Sequence, residues 1–129
     1  MQAIRYQGQL IGIKISAIQK GTIPLEADEE PLQLVSLKRP KGTYTLPHYH
    51  KSRHLVTRQV QECLFVRKGR LKADIYTKKA VFVTSVALKD GDVFILLNGC
   101  YGLHMLTDVE LFETKNGPYL NDKVLINAA

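Results

Sequence analysis

The chain has 129 residues, 45% of them hydrophobic and 23% charged, with a net charge of +6. This composition fits one globular domain, residues 1–129, and excludes a disordered or fibrous chain. Two cysteines, Cys63 and Cys100, with no C-x-x-C pair, exclude a disulfide scaffold and a zinc finger, and a reducing cytoplasmic setting is expected. The longest apolar runs, such as Val93 to Leu97, fall far short of the ~20 residues of a membrane helix, so no membrane partner or export is expected. The excess of Lys and Arg favours an anionic small molecule as partner. Because these cations are scattered and no aromatic stacking platform accompanies them, nucleic acid is not expected.

In chain order, short stretches rich in Val, Ile, Leu, Tyr and Thr alternate with Gly, Pro, Asn and Asp turns. The pattern predicts strands at Leu10 to Ser16, Leu32 to Leu37, Thr43 to His50, Glu62 to Arg67, Leu71 to Thr77, Val81 to Leu88, Val93 to Leu97, Gly102 to Thr107 and Val109 to Thr114. Turns are expected at Arg39 to Gly42, Lys68 to Arg70, Lys89 to Asp92 and Asn98 to Gly99. Only Ala27 to Glu30 and Ser52 to Gln61 offer helical alternatives. So many short strands in one small domain predict an all-β sandwich or barrel.

Alternation then sorts the polar side chains. Tyr44, Leu46, His48 and His50 share a face of their strand, with Pro47 marking an edge or a bulge. Glu62 shares parity with Leu64 and Val66, which puts a carboxylate on an apolar face. Such a group needs a hydrogen-bonding partner or a cation.

Gly42, five residues, His48-Tyr49-His50, then Glu62, six residues and Gly69 resembles the first cupin motif. The departure is the spacer: Lys51 to Gln61 stands where cupins usually have three or four residues, so 51–61 is expected to be an inserted loop. Gly91, Leu97-Asn98-Gly99, His104 and Asp108 resemble the second motif, with Leu in place of its Pro, a displaced His and Asp in place of its Asn. The resemblance spans residues 42 to 108. It implies a double-stranded β-helix, the cupin jelly-roll barrel, and one divalent metal ion held by His48, His50, Glu62 and His104. Imidazole and carboxylate suit Zn, Fe, Mn or Ni and leave open positions for water or substrate. His54 is the competing fourth ligand; otherwise it is a solvated loop residue.

In that setting Tyr44, Glu62 off the metal and His54 are candidate proton-transfer residues, and Tyr44, Tyr49 and Tyr101 are candidates to line the pocket. Lys51, Arg53 and Arg58 are candidate anion-binding residues, with loop solubility as their plain alternative. Cys100 lies near the expected barrel mouth, but no activating base for it is legible. Glu113-x-Lys115-x-Gly117-Pro118-Tyr119 resembles the tail of small cupins found alongside polysaccharide and nucleotide-sugar enzymes, which implies a sugar-related substrate.

Several functions follow from the resemblance. A metal-dependent sugar or sugar-nucleotide isomerase or epimerase comes first, where the metal polarises a carbonyl or hydroxyl. A ferrous dioxygenase and a non-catalytic ligand-binding module stand beside it. His48-Tyr49-His50-Lys51 is also similar to the His-Ala-His-Lys stretch of dTDP-sugar ketoisomerases, which work without a metal. A homodimer is expected, with Gln9 to Ser16 as a candidate edge for pairing.

Overall fold

The structure is a computed structural model and describes residues 1–127. Ten strands are present: β1 (Gln2–Tyr6), β2 (Gln9–Ile15), β3 (Gly21–Pro24), β4 (Val35–Lys38), β5 (Glu62–Lys68), β6 (Arg70–Tyr76), β7 (Phe82–Lys89), β8 (Val93–Leu96), β9 (Cys100–Met105) and β10 (Glu110–Lys115). Every pairing is antiparallel and no helix occurs among the described residues. The chain is therefore all-β, as expected. A five-stranded sheet in the order β1-β2-β8-β5-β10 faces a three-stranded sheet in the order β7-β6-β9, and β3 and β4 form a separate ribbon.

The core between the two large sheets joins Ile11, Val66, Phe94 and Leu96 to Leu71, Ala73, Ile75, Val86 and Leu88. On the outer face of the five-stranded sheet, Ile13, Ile15, Cys63, Ile95 and Leu97 are covered by Leu25, Leu32 and Leu34. The central strand β8 is thus buried on both sides. That is why Phe94, Ile95, Leu96 and Leu97 are consecutive buried residues and do not alternate.

Glycine is required by contact at positions that include Gly12 and Gly69. A Cβ at Gly12 would stand 2.7 Å from the Phe94 ring and 2.8 Å from the Ile95 carbonyl oxygen. At Gly69, φ is +104° and a Cβ would stand 2.3 Å from the Asp108 carbonyl oxygen, so the β5–β6 turn admits no side chain. Gly12→Ala is expected to overpack the core and cost about 1–3 kcal/mol, read as a lower urea midpoint at unchanged m-value.

The segment covering the outer face carries a part-buried acid. Glu26 accepts the Leu34 N–H at 2.5 Å, but its other carboxylate oxygen is buried without a partner. Burial raises its pKa above 4.5, against the lowering effect of the Leu34 bond. The folded chain therefore binds this proton more tightly than the unfolded chain. Stability from this group is full below pH 4.5 and is lost as pH rises through the higher folded value. Glu26→Gln is expected to remove that fall, seen as a flatter melting temperature from about pH 4 upward and equal or greater stability at pH 7.

Several expectations need correction. Gln9 to Ser16 is not an edge, because β2 pairs with both β1 and β8. Ala27 to Glu30 forms a turn closed by the Glu30 N–H on the Ala27 carbonyl at 3.1 Å, and Ser52 to Gln61 is non-helical. Thr43 to His50 joins no sheet, and all residues from 37 to 58 are exposed. Residues 39–58 thus form an exposed arm, which includes most of the expected insertion.

Candidate functional site

Strand alternation builds the site. On β5, Cys63 turns to the outer core while Val66 turns inward, so Glu62, two residues from Leu64, points between the sheets. From the facing sheet, Tyr101 of β9 stands opposite Ile75 and packs against the inner core. Its hydroxyl donates to the Glu62 carboxylate at 2.5 Å, the partner that an acid on an apolar face requires. On β10, Lys115 stands opposite Glu62 and Glu113 opposite Leu64, with the Lys115 ammonium 3.1 Å from Glu113. Two carboxylates, a phenol and an ammonium thus share one end of the inner face.

The electrostatics assign protonation states. Burial, then the hydrogen bond to Glu62, pushes the Tyr101 phenol well above its ordinary value, and the charges of Glu62 and Glu113 add to this. Tyr101 is a proton donor throughout the neutral range. The Glu113 hydrogen bond raises the Lys115 ammonium, with Glu62 contributing. A fixed donor beside a carboxylate, with a cation across the strand pair, is an arrangement suited to moving a proton on an oxygenated substrate.

The four residues expected to hold a metal do not converge within the chain. His48 and His50 do lie side by side on the arm, their ring centroids 5.6 Å apart, and His48 Nδ1 is 2.8 Å from the Leu46 carbonyl. Both are exposed. His104 stands opposite Lys72 on β6, one residue out of phase with the inward Leu103. It therefore faces outward, where its Nε2 is 2.7 Å from Asp74. Ser85 donates to the other Asp74 oxygen at 2.6 Å. The Ser85 bond, then His104 and Lys72, hold Asp74 below the usual carboxylate value. No group of three or more His, Cys, Asp or Glu placed to hold a metal exists among the described residues. Glu62 is engaged by Tyr101 and His104 by Asp74, so the donor set implied by the cupin resemblance does not fit a metal within one chain.

The remaining candidates lie on the arm. Tyr44, Lys51 and His54 are exposed. Arg53 and Arg58 line a groove of about 580 Å³ together with Asp28, Glu29 and Glu30. Three carboxylates there offset the positive field that an anion would need. Burial, with Glu26 adding, pushes the Cys63 thiol up to about 11, and burial also raises Cys100 against the pull of Lys78. Neither thiol is activated as a nucleophile.

Sequence reasoning placed Glu62 on an apolar face and named Tyr101 as a pocket-lining candidate, but did not pair the two. Tyr101 has the parity of Leu103 and Met105, which is the signal that would have joined them. Gln61 was missed. Although only 1% exposed, it accepts the Leu32 N–H at 3.1 Å and donates to the Leu97 carbonyl at 3.2 Å and to Glu30, while its own N–H is held by Asn116 at 2.8 Å. Asn116 also donates to Thr57 and to the Gln59 carbonyl, which fixes the base of the arm. No helix among the described residues is long and apolar enough to cross a membrane. No family model, curated protein or solved structure matches the chain.

Proposed function

We propose that this protein is a cupin-like isomerase that moves a proton between adjacent carbons of a small oxygenated anion, with a keto sugar or its nucleotide as the substrate class. The observation supporting this reading is the Tyr101 hydroxyl bonded at 2.5 Å to Glu62 on the inner face, beside Glu113 and Lys115. Glu62 takes the proton from the carbon next to a carbonyl. Tyr101 releases the carboxylate and donates its hydrogen bond to the carbonyl oxygen as negative charge develops there. The part-exposed Glu62 exchanges the captured proton with solvent and returns a proton to the neighbouring carbon, and with the hydroxyl proton shifted to the first oxygen this gives the isomer with no oxidant or reductant consumed. Lys115 supplies positive charge toward an anionic group. No step is routed through a metal.

The cupin jelly roll belongs to the same proposal. In that architecture the Thr43 to His50 stretch would close the sandwich beside β9. The sugar preference rests on the similarity of His48-Tyr49-His50-Lys51 and of the Glu113 to Tyr119 run to sugar-nucleotide cupins. The test is incubation with dTDP-linked 4-keto sugars and keto sugar phosphates under EDTA, with NMR detection of the shifted carbonyl. Conversion supports the reading, whereas micromolar binding with unchanged ligand identifies a binding module and overturns it.

A further inference from the structure

We infer that Asn116 is the positioning residue of the Glu62–Tyr101 pair: it pins the chain at the residue before Glu62 and so keeps the carboxylate in reach of the Tyr101 hydroxyl. Glu62 needs such a hold because of where it lies on its strand. The β5–β10 ladder ends at the pair Glu62 and Lys115, and the β5–β8 ladder ends at the pair Glu62 and Leu96. Both neighbours thus stop pairing at the residue that carries the acid, and a strand end is where a sheet frays first. Just before it the chain leaves the sheet toward the arm, in which every residue from 39 to 58 is exposed. An exposed segment contributes little packing to steady the strand that follows it.

Asn116 supplies the hold with one side chain. It follows Lys115, the last residue of β10, and so stands one step beyond the ladder. Its amide oxygen accepts the Gln61 N–H at 2.8 Å. Its amide nitrogen donates to the Thr57 hydroxyl at 3.1 Å and to the Gln59 carbonyl at 3.0 Å. The hydrogen-bonding groups of an asparagine are divided here, the acceptor toward the sheet and the donors toward the arm. Asn116 is part-buried, while residues 112–115 and 117–120 on either side of it are exposed.

The two halves of Gln61 are held separately. Its side chain is fixed by the Leu32 N–H and the Leu97 carbonyl, but its backbone N–H is held by Asn116. That backbone sets the direction in which the next side chain leaves the strand. The Tyr101–Glu62 bond, at 2.5 Å, tolerates little displacement, because a hydrogen bond weakens steeply as its distance and angle open. Asn116 therefore acts on Glu62 through Gln61 and is given no contact with substrate. Its effect on turnover rests on the proposed isomerase reading; its effect on the Glu62–Tyr101 bond does not.

Three full-length variants separate the two sides of the Asn116 amide. Asn116→Ala removes both. Asn116→Asp keeps an acceptor for Gln61 and loses the donors. Thr57→Val removes one arm-side bond alone. The readout is the Tyr101 hydroxyl proton in NMR, moved downfield by its short bond to a carboxylate and identified by its absence from Tyr101→Phe, at a temperature where circular dichroism shows every variant folded. The expected result is loss of this resonance in Asn116→Ala and its retention in Asn116→Asp and Thr57→Val, although all three lower the urea midpoint. With a keto sugar that the protein converts, kcat of Asn116→Ala should fall about 10–100-fold at nearly unchanged KM, as for a small misplacement of a reacting group, and Asn116→Asp should restore most of it. Absence of the resonance from the wild type, its retention in Asn116→Ala, or a loss that follows the urea midpoint across all three variants would overturn the positioning role. The expected resonances in a wild type that converts no keto sugar leave that role standing and count against the isomerase reading. Conversion undiminished in Asn116→Ala does the reverse.

Discussion

Glu62→Gln is expected to lower the rate of proton transfer by about 10²–10⁴-fold, the usual contribution of a positioned base, with KM changed only a few-fold. Glutamine keeps the volume and still accepts the Tyr101 hydrogen bond, so the fold and the contact survive while the basic oxygen is lost. Tyr101→Phe is expected to cost about 10²–10³-fold, the range for removal of one donor to a developing oxyanion. The two changes act on one constellation, so the double variant should be little slower than Glu62→Gln alone. Steady-state kinetics on the four proteins decide this. An additive loss would show that the two residues act independently.

The largest stability effect is expected at Gln61. Its side chain joins the Leu32 amide to the Leu97 carbonyl, and hence the segment over the outer face to the end of β8. Gln61→Ala leaves the Leu32 amide without its partner and opens a cavity, while the Leu97 carbonyl keeps the Gln59 amide donor, at a cost of about 2–4 kcal/mol. Gln61→Glu retains an acceptor for Leu32 but places a carboxylate beside Glu30, to which Gln61 now donates, and should also destabilise. Urea unfolding monitored by circular dichroism measures both. A loss below about 0.5 kcal/mol for Gln61→Ala, the range of ordinary surface substitutions, would contradict a structural role for this residue.

The strands with self-contained alternation were legible in the sequence: β5, β6, β7 and β10 lie within a residue or two of their expected positions. β8 was found through its continuous apolar run, the mark of a strand covered on both faces. β1 was missed because its hairpin turn is Gln7-Gly8, with both residues at positive φ. Glutamine at the first of these lacks the Asn or Asp signal that normally marks such a turn. β3 was missed because Thr22 and Pro24 dilute a four-residue strand whose only ladder is with β4.

The site divides in the same way. Parity placed Glu62 inward, and parity also required it to find a partner. His104 went to the wrong face because its two-residue displacement from the motif spacing leaves its parity unchanged, and β9 pairs with β6 without a bulge that would turn it inward. Thr43 to His50 has the composition of a strand but joins no sheet among the described residues, because composition does not supply a neighbouring edge.

The most direct measurement is solvent deuterium incorporation. With a keto-sugar nucleotide that the protein converts, reaction in D₂O should place one deuterium at the carbon next to the carbonyl, read by NMR, in the wild type and at a strongly reduced rate in Glu62→Gln. Isomerised product that retains its original hydrogen, or exchange undiminished in Glu62→Gln, would contradict proton transfer by the Glu62–Tyr101 pair.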